Sequence, residues 1–292
     1  MRSLTFFALA IFLLACGSDN LPPSADDAPP ETEAVSPHQS RIEAATARLK
    51  ASPEGELVLQ AIDAHGGLER WYAQSPLYYH FNYQPLDGGT ARNTFIVNDY
   101  LRSRSHHYLA TDTTQQFGFD GREAWSTTGD KIGGMNPRFW SLTPYYFVGL
   151  PFVLADAGIN FSSLPETEMN GNIYKLVKVT YDTGTGDAPD DYYVLYLNQR
   201  TGQLDALRYI VSYPAYFPDG GHLPEKLMQI TGKTEVDGIL LPTGYATSWW
   251  NDGVPSETIT EITVADYAFM PEMEPAAFAM PDGAKVFREE TK

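Results

Sequence analysis

Cysteine is nearly absent from this sequence, which contains only Cys16 among 292 residues. A single cysteine cannot form a disulfide within the chain, whatever the redox state of the compartment. The fold must therefore be stabilised by its hydrophobic core.

Basic residues are also scarce. The chain has 20 lysines and arginines against 37 aspartates and glutamates, which gives a formal net charge of −17 at pH 7. A protein that binds nucleic acid or an anionic membrane surface by charge needs a basic face. The composition argues against nucleic acid as a partner and against electrostatic docking on a membrane.

The apolar stretch in the middle of the chain is too short to span a bilayer. It reads YYFVGLPFVLADAGINF over residues 145–161, and eleven uncharged residues precede Asp156. A transmembrane helix needs about 20 apolar residues. The stretch is also too apolar for an ordinary surface loop, so it either lies in a core or forms a surface that binds something.

Motifs for metal binding or nucleophile activation are lacking. HExxH and CxxC do not occur, and the adjacent His106 and His107 would project from opposite faces of a strand. The acidic loop at 182–191 lacks the spacing of a calcium loop, which favours a solvated hairpin over a calcium site. His65 precedes two glycines at a predicted helix end, where a histidine commonly caps carbonyls, although a catalytic base is the alternative. We expect no metal and no cofactor.

The N-terminus resembles a bacterial lipoprotein signal. Arg2 is followed by the apolar residues 4–15, LTFFALAIFLLA, and then by Cys16, which indicates a secretion signal over residues 1–15. The ending LLAC resembles the lipobox, which implies lipid on Cys16 after cleavage; the alternative is an ordinary signal with a chance cysteine. Gly17, rather than aspartate, then implies the outer membrane, with the body facing the periplasm.

A tether and one folded domain are predicted to follow the signal. Residues 16–39 combine the cysteine with prolines and acids and have few large apolar side chains. Such a segment cannot offset its ordering entropy, so we expect a disordered tether. Residues 40–292 are long enough for one large β domain. We expect a monomer that is attached to the membrane only through the lipid on Cys16.

The periodicity predicts an α+β fold. Residues 40–51 have a helical composition, and Ser52-Pro53 has the form of an N-cap followed by a first-turn proline. Gly66-Gly67 is expected to end that second helix. Apolar residues then alternate with a period of two, beginning in LYYHFNYQ at residues 77–84. Further alternating runs occur at 93–98, 100–109, 173–181, 192–197, 204–213, 226–236, 239–250 and 257–267. Asp-Gly steps between several runs favour hairpins, so the pattern predicts a large curved antiparallel sheet, nearly a barrel, covered by short helices.

Several motifs together resemble a group of uncharacterised bacterial lipoproteins related to the lipoprotein carriers LolA and LolB. In chain order they are AIDAHGGLERW, FGFDGREAW, GLPFVLADAGINF, YYVLYLNQRTGQL, VDGILLPTGY and FAMP. The resemblance spans residues 65–281. It implies an unclosed β-barrel with a lid of helices and a hydrophobic cavity that holds acyl chains.

In such a fold, the apolar stretch has a place in the lid. Pro144 and Pro151 are expected to divide it into short helical or irregular pieces. The predicted ligand-binding residues are Trp140, Phe147, Leu150, Phe152 and Val153. Ordinary core packing beneath a closed sheet is the alternative for the same aromatic cluster.

Three hypotheses of function follow from the sequence. The first is an outer-membrane lipoprotein that binds or shields a lipid or acyl chain without catalysis. The second is an envelope hydrolase whose site is assembled around His65 and a carboxylate such as Asp156. The third is a protein-interaction module of the cell envelope that uses the apolar lid as its contact surface.

The lipidation of Cys16 gives a direct prediction. Cys16→Ser should release the protein from membranes or block its maturation, because the acyl chains are its expected means of attachment. Membrane fractionation together with metabolic palmitate labelling measures this. Absence of palmitate from the wild-type protein would show that Cys16 is not lipidated.

Overall fold

A computed structural model of the protein describes residues 36–289, which contain four α-helices and 13 β-strands. The helices are α1 Pro37–Leu49, α2 Pro53–Ala64, α3 Leu68–Ala73 and α4 Pro137–Val148. The strands are β1 Leu77–Pro85, β2 Arg92–Asp99, β3 Arg104–Leu109, β4 Asp112–Phe119, β5 Ala124–Ser126, β6 Ile159–Met169, β7 Asn172–Tyr181, β8 Tyr193–Asn198, β9 Leu204–Tyr209, β10 Lys226–Val236, β11 Ile239–Asn251, β12 Val254–Phe269 and β13 Lys285–Val286. The predicted signal peptide, Cys16 and residues 17–35 of the predicted tether lie outside the described residues. Within residues 36–289, no helix is both long enough and apolar enough to cross a membrane.

The first helices begin at serine caps. The Ser52 side chain accepts a hydrogen bond from Gly55 N at 3.0 Å, which confirms the predicted start of α2. α1 begins at Pro37, earlier than the predicted residue 40, because the Ser36 side chain caps it through Gln39 N at 3.2 Å. Gly66 and Gly67 end α2 with φ angles of 120° and 85°, a region that suits glycine. A Cβ on Gly66 would also lie 2.3 Å from the Gly238 carbonyl oxygen.

The strands form one antiparallel sheet in the order β13-β5-β4-β3-β2-β1-β12-β11-β10-β9-β8-β7-β6. Two meanders compose it. One extends from β1 to β5, and the other runs from the edge strand β6 to β12, which pairs with β1. The edge strands β6 and β13 do not pair with each other, so the sheet is unclosed. The predicted large antiparallel sheet with short helices is therefore confirmed.

A crossover of residues 127–158 joins β5 to β6, from near one edge of the sheet to the other edge. It contains α4 and a 3-10 turn at Phe152–Ala155. Pro144 does not divide the segment as predicted; it is buried inside α4, next to a turn where the Thr143 hydroxyl donates to Phe139 O at 2.5 Å. The helix ends at Val148, shortly before Pro151, as a proline requires.

The crossover is fixed to the helices and the sheet by hydrogen bonds and aromatic packing. Its carbonyl oxygens accept hydrogen bonds from the Tyr245 hydroxyl at 3.0 Å, Arg48 Nη2 at 2.7 Å and His107 Nε2 at 2.9 Å. Trp71 of α3, which is 1% exposed, lies between Tyr100 and Phe152 with ring-centroid distances of 4.3 and 4.4 Å. We call these three rings the Trp71 stack. It lies in the main core, between the helices and one face of the sheet.

The Trp71 stack gives a stability prediction. Phe152→Ala should lower the free energy of unfolding by about 3–5 kcal/mol, because Phe152 is 1% exposed and its removal leaves a cavity. Phe95→Ala is the matched control, since Phe95 is only half-buried, and should cost less. Urea unfolding at equilibrium measures both. An equal loss in the two variants would contradict the anchoring role of Phe152.

Candidate functional site

A cavity of about 370 Å³ lies between the crossover and the sheet. Its walls come from α4, the 3-10 turn, the residues before β6, the end of β2 and the adjacent ends of β7, β8 and β9. Ligand pockets for small molecules measure about 300–1,000 Å³. The volume is therefore sufficient for a small ligand.

Tyrosines dominate the wall of this cavity. The seven that line it are Tyr100, Tyr145, Tyr146, Tyr181, Tyr193, Tyr209 and Tyr213. Tyr193 of β8 and Tyr209 of β9 are partners in the sheet register and stack at 5.7 Å. The Tyr146 and Tyr181 hydroxyls form a hydrogen bond to each other. Burial raises the pKa of both Tyr193 and Tyr209, so this part of the wall is uncharged at neutral pH.

Aliphatic and phenyl side chains complete the wall, among them two of the predicted ligand-binding residues. Phe147 of α4 and Val153 of the 3-10 turn line the cavity. Leu150 and Phe152 do not; they lie in the main core. Trp140 is also outside this cavity and packs against Tyr83, with centroids 5.5 Å apart. The ligand-binding role thus remains a prediction for Phe147 and Val153, while Leu150, Phe152 and Trp140 contact other parts of the protein.

Two buried polar atoms at the cavity have no hydrogen-bond partner among the described residues. One is Nδ2 of Asn98, a residue that is 1% exposed and whose Oδ1 accepts from the Tyr79 hydroxyl at 2.6 Å. The other is Nη1 of Arg138, whose Nη2 pairs with Asp187 at 2.6 Å. A buried polar atom without a partner is unfavourable, so both N–H groups can donate a hydrogen bond to an acceptor atom of a ligand. Sequence reasoning missed both residues.

Carboxylates lie at the same cavity without converging on one point. Asp191 accepts hydrogen bonds from Ser212 N and Oγ at 2.6 and 2.7 Å. Burial raises the pKa of Asp191, and these two bonds oppose that shift. Partial enclosure also raises the pKa of Asp156, against the effect of the Arg41 and Arg48 charges. Two other acids of the loop 182–191 also have partners of their own: Asp182 accepts from Asn160 Nδ2 at 2.8 Å, and Asp187 pairs with Arg138.

His65 does not reach the cavity. Its Nδ1 lies 2.8 Å from Ala61 O at the end of α2, which confirms the predicted cap. Its ring packs edge-on against Phe152 at 6.4 Å. Burial lowers its pKa to about 4. Asp156 lines the cavity and His65 does not, so the structure does not assemble the hydrolase site that the sequence suggested around these two residues.

The adjacent histidines of β3 have separate surroundings. His106 contacts Ala277 O and Gln116, whereas His107 donates to Ser141 O of α4. The expectation that they point to opposite faces is confirmed. Across residues 36–289, no group of three or more His, Cys, Asp or Glu side chains is arranged to hold a metal ion.

This chain is similar to one sequence family and to several solved structures. The sequence family DUF6503, a family of unknown function, matches residues 138–222, which include β6 to β9 and α4 except its first residue. A LolA superfamily protein from Nitrosomonas europaea superposes with a TM-score of 0.51 and 12% identity, over 79% of this chain and 99% of that chain. A DUF1329 family protein from Desulfovibrio piger superposes with a TM-score of 0.43 and 12% identity, over 83% of this chain and 97% of that one. The comparison with curated proteins gives no match. The chain has a LolA-like fold, as the sequence motifs predict.

The buried state of His65 gives a prediction on pH. Its folded pKa of about 4 lies below its unfolded value of about 6.5, so the unfolded state binds more protons in this range. The free energy of unfolding should therefore fall as the pH decreases from about 6.5 towards 4. Between pH 7 and pH 5, wild type should lose about 2 kcal/mol more than His65→Gln.

Urea unfolding at the two pH values measures this difference. His38→Gln on the exposed face of α1 is the control and should lose as much as wild type. If His65→Gln has the same pH dependence as wild type, His65 is not held neutral in the folded protein.

Proposed function

We propose that this protein is a lipid-anchored outer-membrane lipoprotein, facing the periplasm, that holds a lipid or acyl chain non-covalently and catalyses no reaction. In this proposal, the chain acts as a monomer attached through Cys16. The observation that carries it is the 370 Å³ cavity of mostly aromatic and aliphatic side chains, which lies beneath the crossover of a LolA-like fold.

The character of the wall favours hydrocarbon. Phe147, Val153 and Ile159 present apolar side chains, and the tyrosine rings present their faces. Removal of an acyl chain from water into such a wall contributes about 0.8 kcal/mol for each buried CH₂ group. The unpartnered Asn98 Nδ2 offers one donor to a polar atom of the ligand.

The two alternative functions find less support. A hydrolase needs a base close to the reacting centre, and His65 is buried in the core away from the cavity. An interaction module needs a continuous apolar surface. Within residues 36–289, the exposed large apolar side chains are Leu86, Ile173, Tyr216, Val254 and Met280, which belong to separate turns and strands.

Filling the cavity tests the proposal. Leu142 lines it from α4 and is half-buried, so Leu142→Trp should occupy the space of the ligand with little effect on the core. Affinity for a fluorescent fatty acid should fall by roughly tenfold or more, which corresponds to about 1.4 kcal/mol. Fluorescence titration measures this, and thermal unfolding should show a small change in Tm.

The control is Ile173→Trp, because Ile173 is 50% exposed and does not line the cavity. This variant should bind like wild type. The proposal fails if the wild-type protein does not bind the probe, or if Leu142→Trp binds it as tightly as wild type.

A further inference from the structure

A second pocket adjoins the cavity and contains two basic residues. It has a volume of about 450 Å³ and lies among the β1–β2 turn, the start of β10, the end of β11 and the start of β12. We call it the basic groove. Its floor includes Arg92 of β2 and Lys226 of β10, together with Tyr83, Trp249 and Thr260.

Neither cation in the basic groove has an acidic partner among the described residues. Arg138, Arg208 and Lys233 each form an ion pair with a carboxylate, as do Arg102 and Arg104 with Asp99. Arg92 and Lys226 are half-buried, and their side chains form no ion pair or hydrogen bond within residues 36–289. In a chain with a net charge of −17, this is an unexpected place for two unpaired positive charges.

The acids at the groove do not neutralise them. Asp87 and Glu257 line it and are exposed to solvent. Asp87 accepts the Gly89 N–H at 2.9 Å, and neither carboxylate forms an ion pair of 4.0 Å or less with a cation of the groove. Neither exposed carboxylate therefore provides Arg92 or Lys226 with a direct ion pair.

Aromatic rings are the direct neighbours of both charges. Arg92 Cζ lies 5.0 Å from the ring centroid of Tyr83 and 4.9 Å from that of Trp140. Lys226 Nζ lies 4.9 Å from the ring centroid of Trp249 and 6.0 Å from that of Tyr209. Ring faces attract cations but do not replace an anion or its hydrogen bonds.

The positive charges of Arg92 and Lys226 repel each other in the unliganded protein. Burial lowers the pKa of Lys226, and the neighbouring Arg92 charge lowers it further. Two like charges that lose part of their hydration are stabilised when an anion binds between them. The positive charge of the groove therefore favours an acidic group. The aromatic rings at its rim partly exclude water, which strengthens the attraction.

The linings of the basic groove and of the tyrosine-lined cavity contact each other. Tyr209 lines the cavity, and its register partner on β10 is Lys226. On α4, Phe139 lines the cavity, and the next residue, Trp140, contacts Arg92. The two cations that line the cavity itself, Arg104 and Arg138, each form an ion pair with an aspartate, whereas Arg92 and Lys226 in the groove form none within residues 36–289.

We infer that the basic groove binds the anionic head group, a carboxylate or a phosphate, of an amphiphile whose hydrocarbon chain occupies the cavity. Arg92 and Lys226 each donate to the head group, and Trp140 and Trp249 flank it. This inference rests on the proposed function, since the chain of the amphiphile is the ligand proposed for the cavity.

Three probes that differ only in the head group test the inference: dodecanoate, dodecyl phosphate and dodecanol. Each is titrated below its micelle concentration by displacement of an uncharged fluorescent probe. Wild type should bind both anions at least roughly tenfold more tightly than dodecanol, as expected for charge-assisted hydrogen bonds. The double variant Arg92→Gln/Lys226→Gln should lose this preference.

Two control variants distinguish an effect of charge on binding from an effect of the substitutions on folding. Lys131→Gln/Arg200→Gln removes two exposed cations elsewhere and should keep the preference. Arg92→Lys/Lys226→Arg keeps both charges and should retain most of it, even if the glutamine variant is unstable. Loss of the preference in the exposed-residue control, or its survival in the glutamine variant, would overturn the inference.

The outcomes of these titrations distinguish failure of this inference from failure of the proposed function. If none of the three probes binds wild type, the cavity does not hold an acyl chain. If all three bind equally, the chain site stands and the head-group site is refuted. Inorganic phosphate is the last probe, and its binding is measured by tryptophan fluorescence. If it binds as tightly as dodecyl phosphate, the groove is a site for free anions, and the head-group inference is overturned.

Discussion

The arrangement of this molecule depends on the stack of Trp71 between Tyr100 and Phe152. These rings come from α3, from the turn after β2 and from the crossover, so one contact joins the helical layer, the first meander and the segment that covers the cavity. The Tyr100 hydroxyl also donates to Trp71 O at 2.6 Å, which fixes the orientation of the stack. Because protein interiors are close-packed, a cover anchored in this way keeps a defined distance from the sheet. The crossover is thus held at several points between Ser141 and Ala155, and these contacts fix the position of the residues that cover the cavity.

The regular parts of the fold could be predicted from local patterns, and the irregular strands could not. In β1, the buried residues Leu77, Tyr79 and Phe81 alternate with less buried neighbours, so a period of two was visible. β4 and β6 gave no such signal, since exposed polar residues fall on both faces of each. β6 also contains Pro165, which an edge strand tolerates because one side of its backbone has no partner; the register shifts between Leu164 and Thr167.

The candidate site required information that no local pattern contains. Composition indicated an apolar lid, but the helical phase of α4 decides which of its residues face the cavity. Phe139, Leu142 and Tyr146 follow the three- and four-residue spacing of one face, and Trp140 lies about 100° around the helix from Phe139. Arg92 of β2 and Lys226 of β10 are far apart in sequence and line one groove although β1, β12 and β11 lie between their strands in the sheet. Such a pair becomes visible only once the strand order is known.

The strand order also has a consequence for how the chain folds. β1 and β12 are neighbours, with Leu77 paired to Phe269, although about three quarters of the described residues lie between these two positions. Each meander can form from local hairpins, but joining them requires closure of a very long loop, and such contacts slow folding. Until β12 arrives, β1 remains an open edge that carries Tyr79 and Phe81 on its inner face. An exposed edge of this kind promotes association between chains, so the period before β1 and β12 pair is when this protein most needs protection by a chaperone.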